Sequence, residues 1–293
     1  MKTFYRRLPR FEYERPNTVG EALSLLGEFK GQAKALAGGT DLIPWLRRRE
    51  IAKPGYVIDL KAIPGLAALS YDPASGVHIG PLVTIAEVAR SSVMAERFAA
   101  LSLAALSMAS PQVRNRGTIA GNICMAVPSA DSAPALMALD ASVTLTGPAG
   151  ERIVPIDRFF TGPRQTVIAD DELLTAIKVP EPPASSASVY LKLSPRHSMD
   201  LAVVGVAAWG EMEDGICKNV RIALGAVAPT PIRAPVAEAM LKGKRVTREL
   251  VDEAARNAVT QCSPIDDHRA SREYRCDMAY VMTRRALARI FGL

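Results

Sequence analysis

The sequence is poor in the residues that build metal centres. Among 293 residues it has three histidines, His78, His197 and His268, and four cysteines, Cys124, Cys217, Cys262 and Cys276. The histidines share no i,i+4 spacing and the cysteines form no C-x-x-C pair, so neither a zinc or iron–sulfur cradle nor a disulfide framework is signalled. Aromatics make up only 5% of the chain, and 36 Lys+Arg against 30 Asp+Glu leave a net charge of only +6. The one dense basic run, Arg47-Arg48-Arg49, is short. Nucleic-acid proteins usually join a larger excess to interleaved aromatics, so binding to DNA or RNA is not expected. An acidic cofactor or an acidic partner surface suits the charge. No window approaches the roughly 20 apolar residues of a membrane helix, so no membrane span is expected. Arg6-Arg7 is followed by LPRFEYERP, with no apolar stretch and no small-residue cleavage site. The mature chain is therefore expected to begin at Met1 and to reside in the cytoplasm. The G-x-G-x-x-G fingerprint, the Walker loop and the G-x-S-x-G elbow are all missing.

What is there is a well-supplied globular chain. With 48% hydrophobic residues, and at roughly 150 residues per domain, the length suggests two domains with proper cores. Apolar spacing predicts helices over 16–26, 41–49, 85–90, 94–108 and 131–139, and strands over 33–37, 56–60, 66–71, 77–80, 142–146, 153–155 and 173–179. PEPPASSAS, residues 180–188, is the best domain boundary. Strands are then expected over 190–193, 201–209 and 220–227, followed by helices over 234–241, 247–261 and 277–291. Strands first and helices afterwards make the second domain α+β.

Two glycine-rich stretches stand out. LAGGTDL, residues 36–42, lies between a strand and a helix, where glycines permit a sharp turn and close approach of a ligand to backbone amides. By itself this pattern is far more often a plain turn than a phosphate cradle. The second stretch, GTIAGNICMAVPSAD, residues 117–131, has small residues at Thr118, Ala120 and Gly121, an amide at Asn122 and a carboxylate at Asp131. Asp131 opens a helix, where it suits the macrodipole and can accept from a ribose hydroxyl. Ser129 or Asp131 capping that helix, with Pro134 in its first turn, is the competing reading.

Taken together and in this order, these segments resemble the FAD-binding medium subunit of the molybdenum hydroxylases, the xanthine oxidase and carbon monoxide dehydrogenase family. The matching segments are FEYERPNTVGEALSLL, LAGGTDLIPWLR, SPQVRNRGTIAGNICMAVPSADSAPALMALDA, DELLTAIKVP and REYRCDMAYVMTRRAL, which cover nearly the whole chain. The resemblance implies an α+β fold of the vanillyl-alcohol-oxidase (PCMH-like) type. An FAD-binding domain over 1–180, with subdomains of about 1–55 and 56–180, would precede a C-terminal domain over 185–293 with a small antiparallel sheet and helices. It also implies the cofactor contacts. Leu36, Ala37, Gly38, Gly39, Thr40, Asp41 and Leu42 would line the pyrophosphate and flavin. Met108 would sit against the cofactor, and Thr118, Ile119, Ala120, Gly121 and Asn122 would form the second cofactor loop. Asp131 would contact the nucleotide portion, Leu174 would lie beside the adenine end, and Lys192 would reach towards the flavin, where a cation favours a reduced, anionic ring. Arg196 and Asp200 fit the family's R-x-x-x-D spacing, as a structural ion pair or with a role at the flavin.

The chain departs from the family pattern in places. Met125 stands where the family often has His, Ala120-Gly121 replaces two glycines, and the cysteine-bearing insertion of the 4-hydroxybenzoyl-CoA reductases is missing. Met199 lies nearest the position where the large xanthine dehydrogenases carry an acidic residue that helps with NAD.

The resemblance implies an oxidoreductase with no catalytic side chain of its own. Non-covalent FAD would pass electrons between iron–sulfur clusters of a partner and an external acceptor. A large partner would carry the molybdopterin cofactor and a small one the [2Fe-2S] clusters, in a dimer of heterotrimers. The competing functions are a free-standing flavin oxidase acting on a small molecule and a flavin-free assembly scaffold. Trp45, beside Arg47 to Arg49, is a candidate for partner surface, although the same residues could lie over the protein's own core. A loop that cradles a pyrophosphate is wasted on a mononucleotide. Denaturing the protein is therefore expected to release about one FAD per chain, with no FMN and no flavin left on the polypeptide, as read by chromatography of the supernatant.

Overall fold

The computed structural model describes residues 7–196 and 199–293; Met1, Arg6 and His197 lie outside the described residues. The first layer is a three-stranded parallel sheet in which Tyr56–Asp59 lies between Glu12–Glu14 and Ala33–Leu36. Parallel neighbours need crossovers. The helix Val19–Glu28 supplies the first, with the Thr18 hydroxyl accepting from the Glu21 amide at its N-terminus. The helix Leu42–Arg48 lies on the chain between Leu36 and Tyr56.

The second layer is a five-stranded antiparallel sheet, ordered Leu69–Asp72, Gly76–Ile79, Leu173–Val179, Ser142–Gly147 and Gly150–Pro155. Its inner face meets a cluster of short helices, Ile85–Arg90, Ser92–Arg97, Ala99–Ser107, Ile119–Cys124 and Ser132–Ala138. The single helix expected over 94–108 is broken. Phe98 leaves helical geometry, at φ −122° and ψ 45°, between Ser92–Arg97 and Ala99–Ser107. The break sends its fully buried ring into the core edge-on to Tyr71, with centroids 6.2 Å apart. The polar passage after residue 108 is also more regular than expected. Ser110 and Thr118 each cap a short helix, Pro111–Arg114 and Ile119–Cys124. Helices this short carry too little periodicity to show in a sequence.

The third layer is the sheet Ser186–Leu193, Val204–Glu213, Ile216–Gly225 and Ile232–Arg233, backed by the helices Pro235–Leu241, Arg248–Val259 and Arg272–Phe291. Its strands run longer than expected, because Asp214-Gly215, both at positive φ, fold Val204–Glu213 and Ile216–Gly225 into a tight hairpin. Successive residues of a strand face opposite ways. Val204, Val206 and Ala208 join the C-terminal helices, whereas Ala207 and Trp209 join the core of the second layer. Tyr190 and Ala223 join that core too. The C-terminal sheet is thus buried on both faces, which makes it the wall between two cores. Trp45, in contrast, is buried with the Arg164 guanidinium 4.2 Å above its ring, so it packs within the protein's own fold.

Truncating the ring that breaks the helix tests this packing. Phe98→Ala removes a fully buried side chain from the largest core and is expected to cost about 3–5 kcal/mol. A lower urea midpoint with an unchanged slope is the measurement.

Candidate cofactor site

A cavity of about 340 Å³ opens between the first two layers and residues 199–201, which precede the second strand of the third. Two glycine segments form its floor by interlocking. A methyl group on Gly38 would overlap the Arg116 carbonyl oxygen and come within 2.9 Å of the Gly117 Cα. One on Gly117 would come within 3.0 Å of the Thr40 hydroxyl. Gly39 turns the first segment at φ +73°, a conformation in which a Cβ is strained. The second segment is held from behind by the bond from the Ile85 amide to the Gly117 carbonyl, at 2.8 Å. Thr118 then caps the helix Ile119–Cys124, accepting from the Gly121 amide at 2.9 Å. What the resemblance presented as a second loop is therefore the first turn of a helix.

The first segment is fixed from below. Asp59 is buried at the end of its strand and accepts from Tyr13 and, at 2.5 Å, from Lys61. Lys61 also donates to the Ala37 carbonyl at 3.4 Å. Burial alone would raise the Asp59 carboxyl, but the bonds from Lys61 and Tyr13 hold it below its ordinary value. Asp41 faces the cavity without capping the helix it precedes, and burial pushes its carboxyl up against the pull of Arg48.

Asp131 is the most constrained polar group in the wall. One carboxylate oxygen accepts from the Tyr190 hydroxyl at 2.5 Å and the other from the Lys192 ammonium at 2.9 Å. Lys192 also donates to the Ser107 carbonyl at 3.3 Å. Burial pushes the Asp131 carboxyl up, and Lys192 and Tyr190 pull against it. Each carboxylate oxygen keeps a second lone pair for a donor from the cavity. Nearby, Asn122 accepts from the Ser132 hydroxyl at 2.6 Å, which leaves its amide nitrogen to donate.

Of the residues expected at a cofactor, Leu36, Ala37, Gly38, Gly39, Thr40, Asp41, Leu42, Met108, Thr118, Ala120, Gly121, Asn122, Asp131 and Leu174 all line this one cavity. Two do not. Ile119 is fully buried in the core, on the inward face of its helical turn. Lys192 stands behind Asp131, paired with that carboxylate at 2.9 Å. Met125, Met199 and Asp200 are wall residues as well. Asp200 is also paired with Arg196 at 3.1 Å, so it is at once an ion-pair partner and a cavity residue. Leu60, Ile85 and Leu173 complete an apolar side that sequence inspection missed, since core leucines and isoleucines give no local signal. The Cys124 thiol in the wall is pushed up to about 12 by burial, so it offers no thiolate near neutral pH.

This donor set fits a dinucleotide. Exposed glycine backbone suits a pyrophosphate, a buried carboxylate with spare lone pairs suits sugar hydroxyls, and an apolar side suits flat rings. Such a slot is the equipment of a flavin-dinucleotide protein of the oxidoreductase class. Comparison with known proteins gives the particular group. Residues 9–182 match the profile described as the FAD binding domain in molybdopterin dehydrogenase, and residues 189–290 that of the CO dehydrogenase flavoprotein C-terminal domain. The carbon monoxide dehydrogenase medium chain of Hydrogenophaga pseudoflava is 38% identical over 95% of this chain and 96% of its own length. The xanthine dehydrogenase FAD-binding subunit of Escherichia coli is 32% identical over 94% of each. A chain in the solved structure of the Hydrogenophaga pseudoflava enzyme superposes with a TM-score of 0.94 at 39% identity, covering 98% of this chain and 99% of that one. One from quinoline 2-oxidoreductase of Pseudomonas putida superposes with a TM-score of 0.90 at 28% identity, covering 98% of each. The chain belongs to the family of FAD-binding medium subunits of the molybdopterin dehydrogenases.

The interlock makes a sharp prediction. Gly38→Ala forces two backbones apart and is expected to drop flavin content to about a tenth or less, since relieving such overlap costs a few kcal/mol. Gly27→Ala, where the added methyl meets nothing within 4 Å, is expected to keep full content. The ratio of visible to ultraviolet absorbance of the two purified variants is the readout.

Proposed function

We propose that this chain is the FAD-carrying electron-transfer subunit of a multi-subunit molybdenum hydroxylase or dehydrogenase. Its partners are a large molybdopterin subunit and a small iron–sulfur subunit, as a dimer of heterotrimers in the cytoplasm. The observation that carries the reading is the interlocked glycine floor with Asp131 fixed above it, in a chain whose relatives are named as medium chains and FAD subunits. No helix among the described residues is long and apolar enough to cross a membrane. We assign the FAD-binding domain to residues 1–180, with subdomains of about 1–55 and 56–180, and the C-terminal domain to 185–293.

The chain's own residues bind and orient; FAD, when bound, supplies the redox chemistry. The amides of Gly38, Gly39 and Thr40 would face the pyrophosphate, and Asp131 would accept from a sugar hydroxyl. Leu174 and Met108 would pack against the rings. Lys192 would lend positive charge through Asp131, and Ile119 would support its turn from the core. The Cys124 thiol, pushed up to about 12 by burial, is not set up as a nucleophile. The reading differs from a free-standing oxidase, which would need an acid or base at its substrate, in asking the wall only to bind and orient.

Purification from the native host is expected to yield a heteromer with a molybdopterin subunit and an iron–sulfur subunit, identified by native mass spectrometry. The isolated chain is expected to pass electrons from flavin to dyes at most. A lone chain that oxidises an organic substrate at roughly 1–10³ per second would overturn the assignment in favour of the oxidase.

A further inference from the structure

The C-terminal helix Arg272–Phe291 turns Ala279, Met282, Ala286, Leu287 and Ile290 into its core, as an amphipathic helix should. Arg275, on the same helix, is only 2% exposed. A guanidinium in such a place is costly, and an apolar side chain of similar size often serves stability as well or better. The bonds that Arg275 makes show what it holds.

One terminal nitrogen donates to the Val203 carbonyl at 2.7 Å and to the Ala226 carbonyl at 3.2 Å. The other donates to Asp267 at 2.8 Å. Asp267 is itself clamped by Arg269, through the guanidinium at 2.6 and 3.0 Å and the amide at 2.8 Å. Burial would raise the Asp267 carboxyl, but these bonds and that of Arg275 hold it well below the usual range. The anchor therefore stays ionised throughout the neutral range.

Both carbonyls that Arg275 grips belong to segments leading to the cofactor cavity. Val203 closes the excursion from the strand Ser186–Leu193, its amide donating to the Leu193 carbonyl at 2.8 Å. That excursion carries Met199, Asp200 and Leu201, which line the cavity. Ala226 sits at φ +65°, a strained conformation for a residue with a Cβ, and its amide donates to the Pro128 carbonyl at 2.8 Å. Pro128 leads directly into Ser129, Ala130 and Asp131, also wall residues. A single buried guanidinium thus grips the C-terminal end of one wall segment and the residue that carries the other.

We propose that Arg275 is a positioning residue for the cofactor cavity, holding the 199–201 and 128–131 walls at a fixed separation. It touches no part of the cavity itself. The claim rests on the reading of that cavity as the FAD site. Arg is suited to the task because its planar fork serves two carbonyls and a carboxylate at once, which a lysine ammonium cannot do in this geometry.

The test uses the full chain as Arg275→Lys and Arg275→Met, with Leu287→Ala as a control on the same helix. Leu287 is fully buried in the C-terminal core, so its truncation lowers stability without touching either grip. Three readouts apply: FAD affinity by fluorescence titration of apoprotein, visible circular dichroism of the bound flavin, and amide hydrogen exchange of apoprotein over 129–131 and 199–203. Both Arg275 variants are expected to weaken FAD binding at least about tenfold, alter the flavin dichroism and speed exchange in those two stretches. Leu287→Ala is expected to lower the melting temperature while its affinity stays within about twofold of the parent. Should Arg275→Met fail to fold, Arg275→Lys decides. Parental affinity, dichroism and exchange in Arg275→Lys would overturn the proposal, as would a Leu287→Ala shift of equal size. Apoprotein of the parent sequence that takes up no FAD would instead refute the functional reading, and the exchange arm would still judge the positioning role.

Discussion

Everything at the site depends on how closely two stretches of backbone approach each other. Gly38 lies against Arg116 and Gly117 at a distance that leaves no room for a Cβ, and Gly117 is packed tightly enough beneath Thr40 that a Cβ would push its hydroxyl aside. The contact joins a segment of the parallel sheet to a segment between helices of the second layer. The approach leaves small, amide-rich surfaces facing the cavity, which is what an anionic ligand requires. The supports behind it, Asp59 with Lys61 on one side and Ile85 on the other, come from elements that the floor itself does not include.

A second dependence runs through Asp131. A carboxylate buried in a wall of leucines and alanines is unstable alone, and here it is matched by Lys192 and Tyr190 from a strand of the third layer. The same bonds join the C-terminal sheet to the cavity, so the third layer does more than extend the fold. It supplies the charge balance for a group in the second. Gly205, on the neighbouring strand, leaves room for this arrangement, since a Cβ there would come within 2.5 Å of the Tyr190 hydroxyl.

How much of this the sequence disclosed varies with the physics of each part. The helix at 247–261 was legible because Val251, Ala254, Ala255 and Ala258 repeat at helical spacing behind a Thr247 cap. The first glycine stretch was legible because Gly38-Gly39 between a strand and a helix is a local pattern. The break at Phe98 was not, because the flanking residues suit a helix and only the core decides where that ring goes. The hairpin at Asp214-Gly215 was missed, although the dipeptide itself is a strong turn signal. Lys218 and Asn219 interrupt the apolar run that would have marked its second strand.

Local chemistry, in short stretches, thus determined the elements, the glycine stretches, the small residues at Thr118, Ala120 and Gly121, and the resemblance that joined them. Only the tertiary structure decided which of those residues share a cavity and which stand behind it. Ile119 and Ala120 are neighbours in sequence and both are buried in the same core, yet a helical turn of about 100° per residue lets only Ala120 reach the cavity wall as well. Lys192 carries its charge in any conformation. Whether that charge meets a ligand or a carboxylate depends on where a strand 61 residues away along the chain from Asp131 comes to rest. Long-range pairings of this kind leave no periodic trace, because nothing in the intervening residues has to record them.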